Sequence, residues 1–136
     1  MDGIIFDVDG TLWDSVEVVA ESWNLAIKEN SDLEPNLNRE ILQELFGKTM
    51  DEIAAGVFPD LDPDSRRKLM DICFDYENRY LETHPGVYYE GVMDTLKELA
   101  LEYPLFIVSN CQCGYIEVMM KGAGMEPYIK DFLCFG

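Results

Sequence analysis

Short apolar runs and segments with helical periodicity alternate along this chain. Three apolar runs have the length of buried strands: residues 4–6, 105–108 and 132–135. Two segments near the second and third runs have helical spacing: residues 92–100 and 115–123. Strands that alternate with helices are typical of a parallel sheet with helices on its faces. The pattern therefore predicts an α/β fold with a doubly wound parallel sheet.

The segment between the first two strands contains only helical patterns, from about residue 14 to residue 83. Two pairs of residues have the spacing of a capping box, which marks the start of a helix: Asp14 with Glu17, and Thr49 with Glu52. Three further residues mark helix ends: Asp62 and Pro63 predict a start, and Gly47 predicts a stop. This long helical insertion predicts a separate small domain.

Two carboxylates follow the first strand, one residue apart, and precede a glycine that allows a sharp turn. In an extended chain Asp7 and Asp9 point to the same side, at the strand end where open α/β sheets bind ligands. One could act as a nucleophile or metal ligand and the other as a proton donor. A calcium loop is a poor alternative, because Gly10 comes too early and the twelfth position holds Val18. The simpler alternative is an acidic turn after a strand.

The segment Asp-Val-Asp-Gly-Thr-Leu, starting at Asp7, resembles the first motif of the haloacid dehalogenase (HAD) superfamily, DxDGT followed by an apolar residue. Ser109 resembles the second motif, a serine or threonine after an apolar strand, and Asn110 commonly follows it in phosphatase members. The resemblance implies a HAD-like, Rossmann-like core formed by residues 1–13 and 84–136. The helical insertion, residues 14–83, would then be the cap domain of the C1 subclass.

The resemblance also implies a chemistry, that of a magnesium-dependent phosphatase acting on a small phosphorylated metabolite. Asp7 would be the nucleophile that forms an aspartyl phosphate, and Asp9 the general acid and base. Mg²⁺ would be bound by Asp7 and Asp9, through the backbone carbonyl of the latter. The remaining site residues divide by role: Gly10, Thr11, Ser109 and Asn110 would bind phosphate, and Gly47 and Lys48 would read the substrate from a cap loop.

The overall pattern is similar to the phosphoglycolate phosphatase branch of this superfamily. A sugar-phosphate mutase of the same superfamily and a non-catalytic HAD-like binding module remain alternatives. The family's third motif (a lysine) and fourth motif (acidic) do not occur before Gly136. We therefore expect this chain to cover the front part of a family member, to be weak or inactive alone, and to self-associate through an exposed sheet edge.

Charge and cysteine content narrow the choice of partners. The formal net charge of −17 disfavours nucleic acid and anionic membranes, which bind basic patches. No run in the sequence has the length and apolarity of a membrane span. The four cysteines have neither a zinc spacing nor the spacing of a disulfide framework. We therefore expect free thiols and a cytoplasmic location.

Overall fold

The computed structural model describes residues 2–111 and 113–134. Within them the strands are β1 (Ile4–Phe6), β2 (Trp13–Asp14), β3 (Val87–Tyr88), β4 (Leu105–Val108) and β5 (Asp131–Leu133). The helices are α1 (Val16–Asn30), α2 (Arg39–Leu45), α3 (Met50–Val57), α4 (Pro63–Thr83), α5 (Val92–Ala100) and α6 (Tyr115–Ala123), with a short 3-10 helix at Glu126–Tyr128.

The central sheet is parallel, with strand order β1-β4-β5. Ile4 lies beside Leu105, and Phe106 lies beside Asp131. The predicted α/β fold with a parallel sheet is thus confirmed, and β4, α5 and α6 lie where the sequence pattern predicts them. The third strand begins at Asp131, one residue before its predicted start, and the predicted strand residue Phe135 is outside the described residues.

A two-stranded antiparallel ribbon joins the two ends of the helical segment. Strand β2 pairs with β3, and Trp13 lies opposite Tyr88. The sequence pattern misses this ribbon, because strands of two residues carry no detectable alternation. At Gly86 the two chain segments approach closely, since a Cβ added there would lie 2.9 Å from the carbonyl oxygen of Asp14.

The helical segment packs around its own apolar cluster. Helices α1 and α4 pack against each other, and the buried members of the cluster include Val19, Trp23, Leu42 and Leu69. Burial of such side chains contributes about 1.5–3 kcal/mol each, so this cluster is a major source of stability for the segment. Its separation from the sheet's own core agrees with the predicted insertion of helices into an α/β fold.

The start of α1 differs from its predicted form. The N-cap position is Ser15, and Asp14 accepts a hydrogen bond from the amide of Val16 at 3.1 Å instead of forming a capping box with Glu17. The other oxygen of Asp14 binds Arg39, at 3.0 Å, so this carboxylate joins α1 to α2.

The other predicted helix boundaries are confirmed. Thr49 and Glu52 form the predicted capping box of α3. Asp62 accepts from the amide of Ser65, and Pro63 starts α4. Helix α2 ends at Leu45, and Gly47 follows with a φ of +91°, a conformation that favours glycine.

One face of the parallel sheet is covered by its own core, and the other carries exposed apolar side chains. Leu105 and Ile107 of β4 are buried among residues from α5 and α6. On the opposite face Ile5, Val108 and Leu133 are 69%, 44% and 66% exposed. Among the described residues, no helix is long and apolar enough to cross a membrane.

Candidate active site

The site lies at the carboxyl end of the parallel sheet, where two neighbouring strands end together. Asp7 follows β1 directly, and Ser109 and Asn110 follow β4. Because β1 and β4 are parallel neighbours, their carboxyl ends meet at one edge. A cleft of about 360 Å³ opens here between the sheet and the helical segment. It is lined by Asp7, Asp9, Trp23, Phe46, Gly47, Lys48, Met50, Ile53, Phe74, Glu77, Val108, Ser109, Asn110, Cys111 and Tyr115.

Six of the eight residues predicted for the site line this one cleft: Asp7, Asp9, Gly47, Lys48, Ser109 and Asn110. The side-chain amide nitrogen of Asn110 (Nδ2) also donates to the backbone carbonyl oxygen of Gly47, 3.2 Å away. This hydrogen bond connects the loop after β4 to the loop after α2. The structure therefore brings the sheet and helical parts of the predicted site into direct contact.

Gly10 and Thr11 do not line the cleft. They form the turn that follows the two carboxylates, in which the amide of Thr11 donates to the carbonyl oxygen of Val8 at 3.1 Å. Gly10 has a φ of +77°, which only glycine adopts without strain, and its amide donates to Trp13. The turn thus directs the chain from β1 into β2.

Asp7 has an exposed carboxylate at the mouth of the cleft. Its Oδ1 accepts a hydrogen bond from the amide of Val8, 2.8 Å away. That bond fixes the orientation of the carboxylate. An exposed, oriented carboxylate is accessible to a substrate and also has the ligand chemistry that Mg²⁺ prefers.

Asp9 lies deeper, against the start of α6. The hydroxyl of Tyr115 donates a hydrogen bond to its Oδ1, and Ser15 donates to the same oxygen at 3.4 Å. Burial raises the pKa of Asp9 to about 6, and the nearby charge of Asp7 acts in the same direction, whereas the bond from Tyr115 lowers it. Asp9 therefore holds a proton at a higher pH than an ordinary aspartate.

The group that Ser109 can offer to a ligand in the cleft is its side-chain hydroxyl, because its backbone amide is already bonded within the sheet. The backbone amide of Ser109 donates to the carbonyl oxygen of Leu133 at 3.1 Å and continues the sheet. The side chain of Ser109 is half-buried at the cleft wall. A hydroxyl in this place can donate to a phosphoryl oxygen without transferring its proton.

Glu77 is a third carboxylate in the cleft, contributed by α4. It is only 3% exposed, and the indole nitrogen of Trp23 donates to its Oε1 at 3.0 Å. The described lining includes one cationic side chain, Lys48. Sequence reasoning missed Glu77 as a site residue, because a carboxylate within a helical pattern is most often on the solvated face.

Two cysteines near the site form a disulfide, which the sequence analysis did not predict. Cys113 and Cys134 are bonded, with their Cα atoms 5.5 Å apart. They follow β4 and β5, which are parallel neighbours, so the sheet brings together residues that are 21 positions apart. The expectation of free thiols was wrong for this pair, and the disulfide does not support the reasoning that led to a cytoplasmic location.

Cys111 is a free thiol in the cleft. Burial raises its pKa to about 12, so it is protonated at neutral pH. A thiolate is the nucleophilic form of cysteine, and Cys111 is therefore not an activated nucleophile.

The donor set of the cleft suits a hard cation that shares its ligands with a substrate. Asp7 and Asp9 both line the cleft, so two carboxylate side chains are available to a cation. Among residues 2–111 and 113–134, no group of three or more histidine, cysteine or acidic side chains could hold a metal ion. Mg²⁺ is commonly bound by one or two carboxylates together with water and substrate phosphate, so this set fits magnesium.

Comparison with known proteins places this arrangement in a family. The structure is similar to that of a predicted phosphoglycolate phosphatase from Haemophilus somnus, with a TM-score of 0.84, 22% identity and coverage of 98% of this chain and 62% of that one. A haloacid dehalogenase-like hydrolase from Streptococcus pneumoniae matches with a TM-score of 0.79, 20% identity and coverage of 100% and 62%. The magnesium-bound HAD hydrolase YfnB from Bacillus subtilis matches with a TM-score of 0.62, 19% identity and coverage of 98% and 64%.

The chain spans about three fifths of the length of these solved structures. At these identities the similarity establishes the fold. No curated protein matches the sequence significantly. The family model of the haloacid dehalogenase-like hydrolases matches residues 4–135, nearly the whole chain. The chain therefore belongs to the haloacid dehalogenase-like hydrolase family.

Proposed function

We propose that the protein is a magnesium-dependent phosphatase that hydrolyses a small phosphorylated metabolite through an aspartyl phosphate. The observation that carries this proposal is the pairing of Asp7 with Asp9 at the sheet end, opposite Ser109 in the same cleft. Asp7 is exposed and oriented, whereas Asp9 is more buried, and burial raises the pKa of Asp9 to about 6. Two carboxylates with such different environments suit the roles of nucleophile and acid.

In the first step an oxygen of Asp7 attacks phosphorus, and the bond from phosphorus to the leaving oxygen breaks. Asp9 gives its proton to that leaving oxygen. With a pKa of about 6, roughly a tenth of Asp9 is protonated at pH 7, compared with about one part in a thousand for an ordinary aspartate. In the second step Asp9 takes a proton from the water that attacks the aspartyl phosphate.

The other residues of the cleft would hold the substrate. Ser109 and Asn110 supply a hydroxyl and an amide that can donate to phosphoryl oxygens. Asp7 and the backbone carbonyl of Asp9 would hold Mg²⁺, and the ion would offset the repulsion between carboxylate and phosphate. The YfnB structure, which contains magnesium, supports this assignment.

We also propose that residues 14–83 act as a cap domain that reads the part of the substrate beyond its phosphate. The contact between Asn110 and Gly47, together with the placement of Lys48 and Trp23 in the cleft, supports this role. The core would then consist of residues 1–13 and 84–136. The similarity to the Haemophilus protein favours a small phosphorylated acid as the first substrate to test.

The experiment is hydrolysis of p-nitrophenyl phosphate with and without Mg²⁺, measured on the 136-residue chain and on the full product of its gene. Magnesium-dependent hydrolysis that is lost in Asp7→Asn is the expected result. Asp75→Asn is the matched control, because Asp75 is an exposed carboxylate on α4 that does not line the cleft. A folded full product that hydrolyses neither this ester nor a panel of metabolite phosphates would contradict the proposal.

A further inference from the structure

Two hydroxyl groups converge on one oxygen of Asp9, and a third side chain supports them. The hydroxyl of Tyr115, at the start of α6, donates to Oδ1. The hydroxyl of Ser15, just before α1, lies 2.6 Å from that of Tyr115 and 3.4 Å from Oδ1. The indole nitrogen of Trp13 donates to the Tyr115 hydroxyl at 3.2 Å. The first motif is thus bonded to both the core and the start of the helical segment.

The number of hydrogens fixes the direction of these bonds. An ionised carboxylate only accepts, so Tyr115 must give its single hydroxyl hydrogen to Asp9. The Tyr115 oxygen then accepts from the indole of Trp13, and the single hydroxyl hydrogen of Ser15 is shared between the Tyr115 oxygen and Oδ1 of Asp9. A proton on Oδ1 of Asp9 would compete with the hydrogen that Tyr115 already donates there. The proton of a protonated Asp9 therefore belongs on Oδ2.

The network is held rigidly by its surroundings. Ser15, Trp13 and Tyr115 are 1%, 0% and 2% exposed. The rings of Trp13 and Tyr115 pack edge to face with centroids 5.8 Å apart. Gly86 closes over Trp13 and Ser15, at a distance that leaves no room for a side chain. Buried and fully bonded groups of this kind have one arrangement, and they transmit it to the carboxylate they touch.

We propose that Tyr115 is a positioning residue for proton transfer, which with Ser15 keeps Oδ1 of Asp9 as an acceptor and leaves Oδ2 to carry the transferred proton. This inference rests on the proposed function for its catalytic part. As the bond from Asp7 to phosphorus forms and the bond to the leaving oxygen breaks, the proton moves from Oδ2 to that oxygen. It returns to Oδ2 from the attacking water in the second step.

The test compares two leaving groups in Tyr115→Phe and in Ser15→Ala, made in the full product of the gene. An alkoxide needs a proton to leave, whereas p-nitrophenolate does not, so misplacement of the acid affects the alkyl ester selectively. We expect Tyr115→Phe to lower kcat/KM for glycerol 2-phosphate by about tenfold more than for p-nitrophenyl phosphate. Ser15→Ala should shift the ratio in the same direction by less. An equal loss for both esters would overturn the inference.

Tyr88→Phe is the matched control. Tyr88 donates to the carbonyl oxygen of Met119 on α6, so this variant also loses a tyrosine hydrogen bond to that helix, but one without contact to Asp9. Its ratio between the two esters should stay at the wild-type value. A ratio that changes as much in Tyr88→Phe as in Tyr115→Phe would mean that the effect is a general consequence of weakening α6, and would overturn the inference.

Proton NMR of the 136-residue chain tests the bond itself, without any activity. A buried hydroxyl hydrogen bonded to a carboxylate exchanges slowly and resonates downfield. We expect such a resonance, lost in Tyr115→Phe, retained in Tyr88→Phe and shifted in Asp9→Asn. If this resonance is absent, or if it does not shift in Asp9→Asn, the inference is overturned whatever the activity. An inactive full product that retains the resonance would instead contradict only the proposed phosphatase function.

Discussion

Asp9 should make folding stability depend on pH in a direction opposite to that of most surface aspartates. Its pKa rises from 3.8 in an unfolded chain to about 6, chiefly because of burial. The folded chain therefore holds the proton more tightly than the unfolded chain does. The stabilising contribution of Asp9 is fully present below pH 4 and is lost as the pH rises through 6.

The size of the contribution of Asp9 to the free energy of unfolding follows from the shift in its pKa. Each unit of pKa corresponds to about 1.36 kcal/mol, so a rise of this size would be worth roughly 3 kcal/mol for a fully shielded group. Asp9 is only partly buried by its surface area, and solvent screening reduces the value to about 1–2 kcal/mol. Replacing Asp9 with asparagine removes the titration and largely preserves the shape and the acceptor for Tyr115.

The assay is urea unfolding of wild type and Asp9→Asn between pH 4 and pH 8, in EDTA so that metal binding does not contribute. The free energy of unfolding of Asp9→Asn, minus that of wild type, should rise by about 1–2 kcal/mol across this range. The same difference for Asp75→Asn should stay near zero, because that side chain is exposed. A flat difference curve for Asp9→Asn would refute the reasoning.

Three further predictions concern stability and association. Trp23→Phe removes a donor to the buried carboxylate of Glu77 and should destabilise the chain by about 1–3 kcal/mol in urea unfolding. An effect no larger than that of Asp75→Asn would be inconsistent with the hydrogen bond from Trp23 to Glu77. Alkylation of the urea-unfolded chain without reductant should modify Cys73 and Cys111 but spare Cys113 and Cys134, and reduction should cost roughly 3 kcal/mol of stability. Four reactive thiols in the unfolded, unreduced chain would refute the disulfide. The exposed apolar face should make the 136-residue chain self-associate in sedimentation velocity, and Ile5→Lys with Leu133→Lys should return it to a monomer; a monomeric wild type at high concentration would refute this.

Much of the fold is predictable because its signals are local. Apolar runs and helical spacing determine β1, β4, α5 and α6, and the capping residues Thr49 and Asp62 place the starts of α3 and α4. Each of these features depends on residues within one turn or one strand. Asp7, Asp9 and Ser109 were also within reach, since Asp7 and Ser109 directly follow apolar runs and Asp9 lies two residues after Asp7.

The features that the sequence did not reveal depend on contacts between distant segments. Tyr115 belongs to an ordinary helical pattern, and only the crossing of α6 behind the first motif brings it to Asp9, 106 positions away. The disulfide likewise depends on the order of the strands. At the start of α1, Asp14 accepts from the Val16 amide and also binds Arg39 across the helical segment. These two contacts replace the local capping box.

The hydrogen bond between Asn110 and Gly47 has a consequence for substrate access. It holds the loop after α2 against the loop after β4, in the wall of the cleft that Asp7 and Asp9 also line. A single neutral hydrogen bond contributes only about 0.5–1.5 kcal/mol, so it can break and re-form as substrate enters. The cleft is thus compatible with a helical segment that opens and closes over the sheet end.

The most direct test of the central claim is to trap the phosphoryl group on Asp7. The full product of the gene would be mixed with Mg²⁺ and p-nitrophenyl phosphate and treated with borohydride, which reduces an aspartyl phosphate to homoserine. The account predicts homoserine at position 7 in peptide mass spectra, and none there in Asp7→Asn. Hydrolysis of the ester with an unmodified Asp7, or with homoserine at another aspartate, would contradict it.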